Sequence, residues 1–262
     1  MTSRISLGRV RALARHDLRI LRNDPAFIVI FTVMPLAFMA FNTKAIGAAL
    51  SVRFPELHAS GASFVVPGAA VLFSGFLVGN LGFGIFREHG WGTWERLRSS
   101  QLSTTELMLG KSVAPIVTIA FQLTVLLVGG SLLFGLELRG SLAGFVVVAA
   151  ALAVMEVALG FMLLSICSSV IQLNALSNAG AMLIGGLGGA VTPVEFLPGW
   201  AQAIAPATPA YWAMKGFRRV TLEPGGLADV AGPVAVLLAF TVVFAVIAVL
   251  RFQVEDTKVS WA

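Results

Sequence analysis

The chain has 262 residues, of which 57% are hydrophobic and only 12% charged, with a mean hydropathy of +0.89. Soluble domains run about 45–50% apolar and about 25% charged, so this composition argues against a water-soluble enzyme. The net charge of +5 comes from basic residues placed beside apolar runs, a pattern that orients helices in a bilayer and does not build a groove for nucleic acid.

The first 24 residues predict an amphipathic interfacial helix. Over residues 4–22, Arg4, Arg11, Arg15, Arg19 and Arg22 fall on one arc, with Leu7, Val10, Ala14, Leu18 and Leu21 on the adjoining one. The basic edge suits anionic headgroups and the apolar edge the acyl boundary, although Asp17 interrupts the apolar arc. The alternative is a basic tail that only sets orientation. Asn23-Asp24-Pro25 then supplies a cap and a proline at the first helical position.

From residue 25 to 262 the pattern predicts one all-α transmembrane domain of six spans. Apolar blocks of crossing length fall at about 25–41, 64–86, 112–134, 142–164, 173–191 and 229–250. Polar connections separate them, the first at 42–63. Gly75 and Gly79 in the second span form a GxxxG pair that permits close helix packing. The 192–228 interval carries five prolines and predicts short helices that re-enter the outer leaflet before the last span.

Lys and Arg number six in 1–24, four in 87–111 and two in the tail, against two in 42–63, one in 135–141 and three in 192–228. The positive-inside rule then places both termini and the 87–111 loop in the cytoplasm. A long basic lead precedes the first apolar run, so that run reads as a retained helix and not a cleaved signal.

The 87–111 loop is the longest polar interval between apolar runs. It sets Arg87, Arg96, Arg98 and Lys111 against Glu88, Glu95 and Glu106. Ser103-Thr-Thr-Glu106 is a capping box, with Leu102 and Leu107 placed as a hydrophobic staple, so a helix starts at Thr104 before the bilayer. Gly92 and Thr93 can start a short helix, Trp94 to Arg98, whose Trp94 and Leu97 stand beside Glu95 and Arg96 and suit a groove on another protein. The bland reading is a solvated connection with aromatics at headgroup level. Gly110-Lys111-Ser112 resembles the end of a phosphate-binding loop, but Thr105 stands where that motif needs glycine. ATP is therefore not expected on this chain.

On these residues the sequence resembles the type-2 ABC exporter permeases. Arg87-Glu88, Gly92-Thr93-Trp94-Glu95-Arg96-Leu97, Leu102-Ser103, Glu106-Leu107 and Gly110-Lys111 look like the cytoplasmic loop of that family. Pro193, Leu197-Pro198, Trp200, Pro206, Pro209 and Tyr211 look like the segment between its last two spans. The resemblance implies an elbow helix at the N-terminus and a coupling helix received by a separate ATPase that carries ATP and Mg. It also implies a bacterial inner-membrane assembly of two ATPase subunits with two permeases, identical or paired with a homologue. The coupling residues would be Arg87, Glu88, Gly92, Thr93, Trp94, Glu95, Arg96, Leu97, Arg98, Ser103, Glu106 and Lys111. The chain itself would be no enzyme.

Glu156, near the middle of span four, is an intramembrane carboxylate and so a candidate for function by default. It could meet a cationic substrate group or pair with Gln122 or Asn80 between helices. Asn80, Gln122 and Glu156 together mark a candidate substrate pathway. Pro193, Pro198, Trp200, Pro209, Tyr211 and Trp212 mark a candidate outer gate or an interfacial anchor. No catalytic, cofactor or metal residues are expected: Cys167 is the lone cysteine, and His16, His58 and His89 lack metal-ligand spacing. The expected function is export of an amphipathic drug, lipid or glycan-linked lipid. The alternative is an ATPase-independent transporter or channel with Glu156 as its ion or proton site.

Overall fold

The computed structural model describes residues 6–23, 25–53, 55, 60–100 and 102–251, with the side chains of 25–28, Asn80, Leu81, Phe83 and Arg98 outside that set. The expectations for Asn80, Arg98 and the tail beyond Arg251 lie outside the described residues.

The described chain is all-α, with α1 (Leu7–Asn23), α2 (Pro25–Arg53), α3 (Ala62–Gly90), α4 (Trp94–Arg98), α5 (Thr104–Phe134), α6 (Leu142–Ile166), α7 (Val170–Leu187), α8 (Gly199–Ile204), α9 (Pro209–Thr221) and α10 (Leu227–Arg251). Six of these, α2, α3, α5, α6, α7 and α10, are long and apolar enough to cross a membrane.

The helix starts follow local chemistry. Ser103, Ser141, Ser169 and Thr208 each accept a backbone N–H from the first turn of α5, α6, α7 and α9 respectively. At the far end of α5, Gly135 takes φ +69°, the left-handed stop that only glycine adopts without cost. The 42–63 interval differs from a simple polar connection, because α2 continues through it to Arg53. Asn42 and Thr43 do not break that helix: their side chains donate to the carbonyls of Phe38 (2.9 Å) and Met39 (2.6 Å), one turn back. The seventh helix starts earlier than the 173–191 block, because Ser169 caps its first turn, and ends earlier, at Leu187, just before Gly189 turns the chain at φ +84°.

The third helix is the centre of the bundle, packed against α2, α5, α6, α7 and α9. Its contact with α7 and the turn that follows it runs along Gly68, Gly75 and Gly82, spaced by seven residues and therefore on one face. A Cβ at these positions would lie 2.1 Å from the Ala190 carbonyl oxygen, 3.4 Å from Ala181 Cβ and 2.1 Å from Leu173 Cδ2. The partners fall in reverse order, so the two helices run antiparallel. This seam, and not the Gly75–Gly79 pair alone, lets the backbones approach.

Gly68→Ala should therefore cost about 1–3 kcal/mol, since the new methyl meets backbone and not a movable side chain. Gly84→Ala, with nothing within 4 Å, should be neutral or slightly stabilising. Thermal unfolding of the two variants in detergent micelles checks the contrast.

Candidate functional site

The 87–111 interval folds as a hairpin between α3 and α5, and much of it is helix. The third helix runs on to Gly90, Trp91 closes it with its N–H on the Arg87 carbonyl, and Gly92 turns the chain at φ +67°. The short helix α4 forms where the sequence places it. Its expected cap is used elsewhere: the Thr93 hydroxyl donates to the Glu88 carboxylate.

The start of α5 carries two charged contacts that reach beyond the hairpin, one centred on a carboxylate and one on an ammonium. Glu106 completes the capping box, with Oε2 accepting from the Ser103 N–H at 2.8 Å. Its other oxygen accepts from the Ser6 N–H, just before α1, at 2.7 Å and pairs with Arg9 Nη2, in the first turn of α1, at 2.9 Å. One fully buried carboxylate thus satisfies orphan donors at the start of two helices. Five residues on, Lys111 Nζ stands 2.9 Å from Asp17 Oδ1 on α1 and 2.9 Å from Glu88 Oε1 on α3. Between these contacts Leu13 lies against Gly110, where a Cβ would come within 2.7 Å. The partners advance together along both helices, so α1 and α5 run parallel.

This geometry changes the reading of α1. Leu13 and Ala14 are buried against protein, Leu7 is 80% exposed, and Asp17 faces inward because Lys111 is there to receive it. Burial raises the Asp17 carboxyl above the usual carboxylate range, and the Lys111 ammonium opposes that rise. His16, Asp17 and Glu88 bring potential metal ligands within 4.8 Å of one another. The Lys111 ammonium already stands 2.9 Å from each of the two carboxylates and takes the place between them that a metal ion would need.

The expected display of aromatics also changes. Trp94 is 4% exposed and stacks on His89, with ring centroids 4.4 Å apart, while Leu97 packs on the core. The neighbouring Trp91, which the motif reading passed over, is 66% exposed, with the Arg87 guanidinium 5.0 Å from its ring centroid. Glu95 and Arg96 are exposed as expected.

Gln122 and Glu156 are both buried but are not brought to each other. Gln122 Nε2 donates to the Phe31 carbonyl at 2.9 Å. Phe31 lies four residues before Pro35, so its carbonyl loses its helical donor to the proline, and Gln122 replaces it. Glu156 meets Ser74 on α3, not Gln122: the hydroxyl is 2.8 Å from Glu156 Oε1 and 2.6 Å from the Ala70 carbonyl. One hydroxyl proton cannot serve two acceptors, so both contacts are hydrogen bonds when Glu156 carries the proton.

The 192–228 interval consists of a 3-10 turn at Val194–Phe196, α8, a second turn at Ala205–Ala207, and α9. Pro193 and Pro198 precede the first turn and α8, and Pro209 opens α9 behind its Thr208 cap. Arg218 pairs with Glu195 at 2.6 Å, tying the turn to α9. Tyr211 and Trp212 stack edge to face, the Trp212 indole N–H donates to the Pro206 carbonyl, and Lys215 lies 4.9 Å from the Trp212 ring centroid. Trp200 is exposed.

The model of the ABC-2 type transporter family matches residues 10–222, from within α1 to the end of α9. The chain belongs to that family. It is 26% identical over 152 residues to the linearmycin resistance permease protein LnrN of Bacillus subtilis (strain 168), covering 58% of this chain and 39% of LnrN. It is 31% identical over 120 residues to the protein named "Probable multidrug ABC transporter permease YbhR" of Escherichia coli (strain K12), covering 45% of this chain and 32% of YbhR. The matched stretches thus span well under half the length of these curated relatives. The family is one of multi-pass membrane permeases, which are not themselves enzymes.

Within the ABC-2 fold the residues that sequence reasoning missed are Ser6, Arg9, Asp17, Ser74 and Trp91. Only Asp17 carried a signal, as the acid that spoiled an apolar arc. Lys111→Met should destabilise the protein by about 3–5 kcal/mol, because it leaves two carboxylates buried without their cation. Asp17→Asn should cost less, about 1 kcal/mol, since the Glu88 carboxylate still matches the Lys111 ammonium and the carboxamide oxygen can still accept from it. Thermal melts of both variants in lipid nanodiscs decide whether the ammonium or the carboxylate is the critical member.

Proposed function

We propose that this chain is the membrane-spanning subunit of an ATP-driven exporter, coupled to a separate ATPase through the 87–111 hairpin. The observation that carries the reading is the way α5 locks that hairpin to α1 and α3 through Glu106 and Lys111. A polar connection with no mechanical task has no need of buried charged clasps among three helices, because such groups are costly unless they are matched. A rigid hairpin of this kind can take a push from a closing ATPase and pass it to the helices that bear it.

In this account the hairpin and both termini lie in the cytoplasm of a bacterium, and the six long helices cross its inner membrane, as the Lys and Arg distribution favours. Arg11, Arg15, Arg19 and Arg22, exposed on α1, meet anionic headgroups as an elbow helix does, while its buried face holds α5. Two permeases, identical or homologous, pair with two ATPases that carry ATP and Mg. Access alternates along the permease–permease interface. The prolines and short helices of 192–228 form the outer, re-entrant end of the path, with Tyr211, Trp212 and Trp200 at headgroup level. Gln122 and Glu156 are each bonded between helices through one atom, with Gln122 Oε1 and Glu156 Oε2 left without a hydrogen-bond partner among the described residues; so few polar groups on the long apolar helices favour an amphipathic substrate such as a drug or a lipid. The relatives named for linearmycin resistance and multidrug transport support the same class.

The direct test is transport of a fluorescent amphipathic dye in vesicles bearing the chain and its ATPase. Export should require ATP and survive a protonophore. Glu156→Gln should retain most of it, because a carboxamide can donate to Ser74 as a protonated carboxyl does. Dye movement without any ATPase, driven by a proton gradient and abolished by Glu156→Gln, would instead establish the secondary-transporter reading.

A further inference from the structure

We infer that Trp91, and not Trp94, is the side chain by which this permease seats in its ATPase. The inference rests on the coupling role proposed above for the hairpin and names the contact through which it would act.

Trp94 is spent internally: it is 4% exposed and stacked on His89, so it fixes α4 against the end of α3. Trp91 stands at the turn itself, two-thirds exposed, and its position is not loose. Its backbone N–H closes α3 on the Arg87 carbonyl, Gly92 sets the turn at φ +67°, and the Arg87 guanidinium lies over the indole. An aromatic knob held in place before binding loses little freedom on docking, and tryptophan with arginine is the composition that dominates interface energy.

The charge of the same surface defines the slot that receives it. The acids Glu88 and Glu106 turn inward to Lys111, Arg9 and backbone N–H groups. Among the described side chains of the hairpin's outer face, Arg87 and Arg96 stand against Glu95. The partner surface is therefore an apolar slot sized for an indole, with carboxylates at its rim to meet the two guanidiniums. The lipid headgroup region is the competing site for an exposed tryptophan. Against it, Trp91 lies five residues past Phe86, the last buried apolar residue of α3, or about 7 Å further along the helix. Three polar residues, Arg87, Glu88 and His89, fill that interval together with Gly90.

The test uses the full-length tagged chain in nanodiscs and the P-loop ATPase, identified by mass spectrometry, that co-purifies with it from native membranes. Trp91→Ala should weaken binding of that ATPase by about tenfold or more, the loss typical of a central aromatic anchor, without lowering the melting temperature. Trp91→Phe should recover part of the loss. Trp94→Phe should bind as wild type, and Trp94→Ala should lower the melting temperature. Wild-type binding by Trp91→Ala overturns the inference while leaving the coupling reading intact. Failure of the wild-type chain to retain any P-loop ATPase overturns both. A nitroxide on Trp91→Cys in a Cys167→Ala background should be reached by an aqueous nickel chelate; preferential access by oxygen would place residue 91 in lipid and also overturn the inference.

Discussion

The first two turns of α5 hold the cluster on which the rest of the hairpin depends. Glu106 and Lys111 face the same neighbour and bind it with opposite charge: the carboxylate takes Ser6 and Arg9 at the start of α1, and the ammonium takes Asp17 near its end. Two clasps of opposite sign fix both position and register, because sliding α1 by one turn would bring Arg9 toward Lys111 and strand Asp17. Glu88 joins the second clasp from α3, and Thr93 bonds Glu88 from the turn before α4. The hairpin is thereby a single piece with α1, α3 and α5. Loss of the central ammonium would leave like charges buried together, which is why the arrangement behaves as a unit and not as a sum of surface ion pairs.

Deeper in the bundle, polar groups serve packing. The carbonyl freed by Pro35 is met by Gln122, and Glu156 with Ser74 forms a hydrogen-bonded link between α6 and α3. In a low-dielectric interior an unmet polar group is costly, so each such pair specifies which helices lie side by side. The glycines of α3 do the same by shape, allowing α7 to approach closely enough that larger residues would collide. The central helix is thus held to α6 by the Ser74–Glu156 hydrogen bond and to α7 and the residues after it by close packing at its glycines, and motion imposed at its hairpin end has a stiff element to travel along.

Much of this was legible in the chain. Helix count and type follow from apolar blocks of crossing length. The start of α5 follows from Ser103 and Glu106, and α4 occupies the residues its pattern predicts. What stayed hidden is long-range. Asp17 looked like a blemish because its partner lies 94 residues away, and no local period records that pairing. The continuation of α2 past Phe41 was masked because Asn42 and Thr43 look like breakers until their bonds to the preceding turn are seen. Trp91 and Trp94 are alike in sequence, three residues apart, yet the turn at Gly92 sends one ring inward and leaves the other out. Gln122 could have been matched to Phe31 only by knowing that α2 and α5 are neighbours.

The central claim is that α1 and the hairpin move as one body when the assembly cycles. Spin labels on Arg15→Cys and Ser99→Cys, both exposed, in a Cys167→Ala background measure the distance between them by pulsed electron resonance. The account predicts one narrow distance distribution that is the same with and without ATP, while the distance between the Ser99 labels of the two permeases shifts. A distance within one chain that broadens or shifts when ATP binds would contradict it, because the clasps at Glu106 and Lys111 would then be opening and not transmitting.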